Sequence, residues 1–180
     1  MKILFASPEA VPFAKTGGLA DVAGALPKAL AKLGHEVILI LPKYRSVDEK
    51  RFPLRPTGMV LKIPVSQKVV TGEVYSLDQG PNFRVLFLRR DVYYDRDQLY
   101  GTPTGDFEDN AERFTFFSRA VAEAALELKP DIIHCNDWQT GLTPVYLKTL
   151  YRSSPSLAQA ASVFTIHNIA FQGLFWHYDL

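Results

Sequence analysis

At 180 residues, with 47% hydrophobic and 22% charged side chains, the chain has the size and composition of one globular domain with a sizeable core. Its net charge of +1 offers no electrostatic case for nucleic acid or for an anionic membrane surface. A single cysteine, Cys135, excludes an internal disulfide, Glu9 interrupts the N-terminal apolar stretch before a signal-peptide core could form, and no apolar run is long enough to span a bilayer, so a cytoplasmic location is expected.

Residues 2–6 read as a short buried strand and residues 19–33 as a helix whose Leu19, Val22, Leu26, Leu30 and Leu33 share one face. Pro27 should kink that helix or start a new segment, and Gly34 is placed to cap its end. The apolar run over residues 36–41, stopped by Pro42, fits a parallel strand covered on both faces and completes a βαβ unit. Residues 60–65, 69–75 and 83–88 look like three strands, the first two forming a hairpin inserted into or flanking the sheet. Residues 91–106, rich in Tyr, Asp, Gly and Pro, read as a surface loop. A helix over 107–128 ends at Pro130; a strand over 131–135, a helix over 141–151 and a strand over 162–167 follow. The alternation predicts an α/β fold: a Rossmann-like, doubly wound, mostly parallel sheet with an inserted β-hairpin region.

In such sheets ligands bind beyond the carboxyl ends of the strands, and three polar segments fall there. The first is Lys15-Thr16-Gly17-Gly18-Leu19-Ala20-Asp21-Val22. Its glycine pair lets backbone N–H groups approach an anion, the helix N-terminus adds positive partial charge and Lys15 adds a full one; a phosphate is the natural guest. A tight turn without a ligand is the competing reading, and the two common nucleotide-binding glycine fingerprints are absent. The second segment is His134-Cys135-Asn136-Asp137-Trp138-Gln139, where Asn136 and Asp137 could bind sugar hydroxyls beside a flat Trp138. Equally, Asp137 could cap the following helix, His134 could be a satisfied strand residue, Cys135 a small buried hydrophobe, and Trp138 and Trp176 core. The third runs from Thr165 to Gly173, with His167 and Asn168 as possible partners of a hydroxyl or a phosphate oxygen, or His167 as a structural histidine. Tyr93, Tyr94 and Tyr100 read as ordinary packing. No carboxylate–histidine cluster has metal-ligand spacing, and no Ser/His/Asp arrangement stands out.

Taken in order, Ser7-Pro8-Glu9, the Lys15–Val22 segment, Leu26-Pro27, Gly34-His35-Glu36-Val37, Pro42-Lys43-Tyr44, the Asn136-Asp137-Trp138 run and Thr165-Ile166-His167-Asn168 with Gln172-Gly173 resemble the N-terminal domain of the bacterial glycogen synthase and plant starch synthase family. The resemblance covers essentially the whole chain. It implies the N-terminal half of a GT-B glycosyltransferase, in which two Rossmann-like domains face each other across a cleft. The implied reaction transfers glucose from ADP-glucose (UDP-glucose in some relatives) to the non-reducing end of an α-1,4-glucan such as glycogen, with retention and with no metal or cofactor. By the family pattern Lys15 and the Gly17–Gly18 backbone meet the donor's phosphates. Asp21 and Asn168 line the cleft near the donor, His167 lies by the transferred glucose, and Asp137, Trp138 and Tyr94 line the acceptor side. His167 and Asp137 are the expected catalytic residues. Family members are far longer, so the chain reads as residues 1–180 of an N-terminal domain that is itself cut short. A C-terminal nucleotide-binding domain, or a second chain, would be needed for activity. The alternatives are a non-catalytic module that holds glucan or a sugar nucleotide, and another GT-B glucosyltransferase; the Lys-Thr-Gly-Gly run favours the synthase branch.

Overall fold

The computed structural model describes residues 1–176; residues 177–180 lie outside the described residues. The opening βαβ unit consists of β1 (Lys2–Ala6), α1 (Gly18–Lys32) and β2 (Glu36–Pro42). Three longer strands follow, β3 (Arg55–Val65), β4 (Lys68–Asp78) and β5 (Phe83–Arg89). The segment expected as a bare loop carries a one-turn helix α2 (Asp91–Tyr94) and a minimal hairpin of β6 (Gly101–Thr102) and β7 (Gly105–Asp106). Then come α3 (Asn110–Leu128), β8 (Ile132–Asn136), α4 (Leu142–Lys148) and β9 (Ala161–Thr165).

The main sheet has the order β3-β4-β5-β2-β1-β8-β9. Its core, β5-β2-β1-β8-β9, is parallel, and the β3–β4 hairpin adds to β5 in antiparallel fashion. The hairpin therefore flanks the parallel sheet at one edge rather than interrupting it.

The period-2 pleat sorts the core into two layers. Ile3, Phe5, Val37, Leu39, Leu41, Val85 and Phe87 face Ala23 and Ala31 of α1. The alternate residues Leu4, Ala6, Ile38, Ile40, Leu86 and Leu88 face Phe117, Val121 and Ala125 of α3. Central strands flanked on both faces must be apolar throughout, which is why β2 reads as an unbroken run.

Helix ends differ from the sequence reading in instructive ways. α1 continues through Pro27 rather than restarting there. Gly34, at φ +88°, sits one residue beyond the cap. Its N–H meets the Ala31 carbonyl at 3.0 Å and the His35 N–H meets that of Leu30 at 3.3 Å, which closes the last turn in a Schellman arrangement. α3 starts at Asn110, not at residue 107, because Asn110 is committed to the preceding loop: its Nδ2 donates to the Tyr100 carbonyl at 2.7 Å. The helix over 141–151 shortens to Leu142–Lys148. β9 ends at Thr165, which frees Ile166 and His167 to turn over the sheet's end.

Candidate active site

The chain runs outward from β1 to β2 on one side and from β8 to β9 on the other, so the strand order reverses between β1 and β8. Crevices at such reversal points, beyond the strands' carboxyl ends, are where α/β sheets hold ligands. The three polar segments emerge there from β1, β8 and β9, which are adjacent strands.

At the end of β8, Asn136 is fully buried. Its Nδ2 donates to the Ala6 carbonyl at 3.0 Å and its Oδ1 pairs with His167 Nε2 at 3.0 Å. The amide is thus a brace between β1 and the loop after β9, and cannot meet a sugar hydroxyl as the sequence reading allowed. The Ala6 contact fixes which end of the amide is oxygen, so His167 Nε2 carries the hydrogen and donates. In the neutral ring Nδ1 is then the acceptor.

Asp137 does not cap the turn that follows it: no side-chain cap bond forms. Instead its Oδ1 accepts the His167 backbone N–H at 2.7 Å, while its own N–H donates to the Thr165 carbonyl at 2.9 Å. Its backbone sits at φ 55°, ψ 178°, a region costly for a residue with a Cβ and enriched at functional sites. His134, on the same strand, pairs with Thr165 Oγ1 at 2.8 Å and packs edge-on to Phe5, as a satisfied strand residue should. Burial, and next the neighbouring His167, push its pKa below the ordinary value. Cys135 is buried, and burial pushes its thiol up to about 12.

Trp138 forms part of a wall. Its ring packs against Phe114 and Phe175. Gly173 lies so close that a Cβ there would meet Trp138 ring carbons at 2.4–2.9 Å, and Gly173 also has φ +62°, so both space and backbone require glycine. Trp138, Asp137, Phe114, Leu142, Phe164 and Phe171 line an open cavity of about 500 Å³. Asn168 is exposed, and its Oδ1 accepts the Ala170 N–H at 3.0 Å in a local turn.

After β1, Lys15 reaches out from the loop and its Nζ meets both carboxylate oxygens of Asp21, at 2.7 and 2.8 Å. Both side chains are about half exposed, at 50% and 57%. A Cβ on Gly17 or Gly18 would meet nothing within 4 Å, and Gly17 is in ordinary extended backbone. Among the described residues nothing demands these glycines; they leave the start of α1 bare. The inner side of the loop is not bare. Thr16 N–H, at 2.5 Å, and Gly17 N–H, at 3.4 Å, point at Glu9 Oε2. The anion that the Gly17 N–H meets is therefore internal, and the outward-facing part of the turn begins at Gly18.

Tyr94 is a further site expectation that the structure contradicts, beside the Asn136 hydroxyl contact and the Gly17 phosphate contact. It is fully buried, its hydroxyl donates to the Arg113 carbonyl at 3.0 Å, and it packs against Tyr44 and under the Arg113 guanidinium. It is core, and cannot line an acceptor groove. Arg113, also fully buried, braces the 91–110 segment through the Tyr93 and Leu99 carbonyls and Asn110 Oδ1. Burial lowers its pKa. Tyr100, which the sequence treats as packing, is the residue between the two halves of the site. Its hydroxyl donates to Glu9 Oε1 at 2.9 Å and its ring touches Phe114, which touches Trp138. Neither Glu9 nor Tyr100 stands out in sequence except through the Ser7-Pro8-Glu9 motif. Among the described residues no group of three or more His, Cys, Asp or Glu could hold a metal ion, and no helix is long and apolar enough to cross a membrane.

A glycine-bared helix start with a reachable lysine and a braced Asp–His pair both lie at the reversal point of the sheet, which defines an α/β domain with its ligand crevice at the topological switch. Comparison with known proteins makes the assignment specific. The chain belongs to the family of the starch synthase catalytic domain, whose model matches residues 2–180. It is 49% identical over 179 residues to the glycogen synthase of Syntrophotalea carbinolica, covering 97% of this chain and 36% of that protein. It is 48% identical over 180 residues to the glycogen synthase of Myxococcus xanthus, covering 97% and 37%. The structure superposes on the catalytic domain of starch synthase IV from Arabidopsis thaliana, solved bound to ADP and acarbose, with TM-score 0.81 at 35% identity over 96% of this chain and 34% of that one. The chain thus spans little more than a third of the length of these glycogen synthases.

Proposed function

We propose that this chain forms one wall of the cleft of a glycogen synthase, transferring glucose from ADP-glucose to the non-reducing end of an α-1,4-glucan with retention. One observation carries the reading: the start of α1 is stripped of side chains at Gly17 and Gly18, where a Cβ would meet nothing among the described residues, and a half-exposed Lys15 stands beside it. Bare backbone, a helix N-terminus and a movable cation suit the diphosphate of a sugar nucleotide.

Lys15 would leave Asp21 for the β-phosphate, and with the Gly18 end of α1 would stabilise the negative charge that grows on the departing ADP. Asp21 holds the lysine in place until then. His167 Nδ1 is the ring atom left to accept a glucose hydroxyl, because Nε2 is held by Asn136. Asp137 fixes the His167 backbone and presents its remaining carboxylate oxygen near the acceptor, with Asn168 toward the donor. Trp138 supplies an apolar wall for the glucan. No metal or cofactor is called for: retention on this plan relies on positioning, with the leaving phosphate guiding the incoming hydroxyl on the same face. A cleft with one wall neither encloses the donor nor excludes water, so the second lobe is required for turnover. We place the chain in the cytoplasm, a compartment that suits a free, buried Cys135.

The test is a titration of the ¹⁵N-labelled chain with ADP, with adenosine as the control, followed by maltotriose. ADP should shift the Gly18, Leu19 and Ala20 amides where adenosine does not, and maltotriose should shift the Trp138 indole. ADP shifts equal to those of adenosine would reject the diphosphate site.

A further inference from the structure

The chemistry proposed above leaves one buried carboxylate unused. Glu9 is 4% exposed, and it lies directly beneath the loop that carries Lys15. An ionised carboxylate in such a place must be compensated by donors, because burying a charge without partners is far costlier than burying a neutral group. Four donors meet it, two on each oxygen. Oε2 takes the Thr16 N–H at 2.5 Å and the Gly17 N–H at 3.4 Å. Oε1 takes the Thr16 hydroxyl at 2.8 Å and the Tyr100 hydroxyl at 2.9 Å. Its own carbonyl accepts the Ser7 hydroxyl at 2.6 Å, which ties the residue back to the end of β1.

We infer that Glu9 is the positioning residue of the Lys15–Gly18 loop: an internal anion that binds the loop's inner amides and so turns Lys15 and the start of α1 outward toward the cleft. Without it, Thr16 and Gly17 would have two unpaired amides, and the loop could collapse onto any external anion with no fixed direction. With it, an incoming phosphate meets only Lys15 and the Gly18 end of α1. The same carboxylate also holds a second loop. Through Tyr100 it reaches the segment whose backbone is fixed by the Phe107 N–H at 2.9 Å and Asn110 Nδ2 at 2.7 Å, both donating to the Tyr100 carbonyl. The phosphate-facing loop and the 95–107 loop are therefore registered on one side chain. The purpose assigned to this clamp rests on the diphosphate reading; its geometry does not.

The partner chemistry makes a specific demand. The donors on Oε2 are backbone amides, which can only donate, whereas both donors on Oε1 are hydroxyls, which can also accept. Glutamine fits: its oxygen replaces Oε2 and its NH₂ donates both hydrogens to the two hydroxyls. Glu9→Gln should therefore keep the clamp without the charge, and Glu9→Ala should abolish it.

The experiment compares the 180-residue chain with its Glu9→Gln and Glu9→Ala variants by amide hydrogen exchange and by ADP titration, reading the Thr16 and Gly18 amides. Glu9→Ala should speed Thr16 exchange about tenfold or more and weaken the ADP response by a similar factor, while Glu9→Gln stays within about threefold of the parent in both. Should Glu9→Ala not fold, Glu9→Asp, one methylene short of the loop, takes its place with the same expectation. Unchanged Thr16 exchange in folded Glu9→Ala overturns the clamp, as does a Glu9→Gln variant that behaves like Glu9→Ala. If the parent itself shows no phosphate-dependent ADP response while Glu9→Ala still loses Thr16 protection, the diphosphate reading fails and the clamp stands.

Discussion

Replacing Lys15 by alanine separates what the lysine does for the fold from what it does for the ligand. In the free chain its partner is Asp21, and the pair is half exposed at 50% and 57%. Exposed ion pairs contribute about 0.2–1 kcal/mol, and 1 kcal/mol moves the melting temperature of a domain this size by roughly 2–4 °C. Lys15→Ala should therefore melt within about 4 °C of the parent. Against a diphosphate the lysine makes a charge-assisted contact of about 1.5–3 kcal/mol, which corresponds to an ADP affinity loss of roughly ten- to 150-fold. In a two-lobed protein, where the same contact strengthens as ADP departs, the loss in kcat/KM should reach about 2–4 kcal/mol. Calorimetric titration with ADP beside a thermal melt is the assay. An ADP Kd unchanged within about twofold would refute the assigned role, and a fall of about 10 °C in Tm would show that the lysine is structural instead.

Further expectations rest on separate parts of the structure. Gly24→Ala should destabilise by about 1–3 kcal/mol, because the new Cβ would meet Val11 Cγ2 at 2.3 Å and the Val11 carbonyl at 2.8 Å; chemical denaturation reads this. Arg113→Leu should cost about 2–4 kcal/mol, since it strands the Tyr93 and Leu99 carbonyls and Asn110, and limited proteolysis should then cut within residues 91–109. Asp137→Gly should leave stability nearly unchanged, relief of the φ 55° backbone, about 1–3 kcal/mol, offsetting the lost bond to the His167 N–H. The ADP and maltotriose responses of that variant should fall all the same, as NMR titration would show. Partial burial, and next the neighbouring His167, hold His134 below its ordinary value of 6.5. The unfolded chain therefore binds its proton first as pH falls, and stability should decline as pH drops below about 6.5. His134→Gln should flatten that decline in denaturation curves taken at several pH values.

What could be read from the sequence and what could not divides along a physical line. The unbroken apolar run of β2 reports burial directly, so that strand and the parallel sheet it implies were legible; the leucine spacing of α1 marked a helix but not its buried face, because Val22 and Leu33 are exposed while Ala20, Ala23, Gly24, Pro27 and Ala31 pack inward. The Lys15–Asp21 segment could be placed at a helix start because a buried strand precedes it and helical spacing follows it. Contacts between residues far apart in sequence leave no such periodicity. Tyr100 meets Glu9 across 91 positions, and Asn136 braces Ala6 across 130; neither pairing has a local signature. Tyr94 was placed on the acceptor side by the family resemblance alone; read from its own segment it was ordinary packing, and its contact with Arg113, nineteen residues on, makes it core. Asp137 was legible as a residue of consequence, but its grip on His167 depends on β9 ending one residue before Ile166, a boundary that sequence patterns place only loosely.

The central claim is best tested by glucose transfer itself. The matching stretch of the Syntrophotalea carbinolica glycogen synthase, 49% identical to this chain over 179 residues, can be replaced by the present sequence to pair it with that protein's remaining two thirds. With labelled ADP-glucose and a glycogen primer, the chimera should incorporate glucose and its Lys15→Ala form should be nearly silent. A folded chimera that binds ADP yet incorporates nothing would contradict the account.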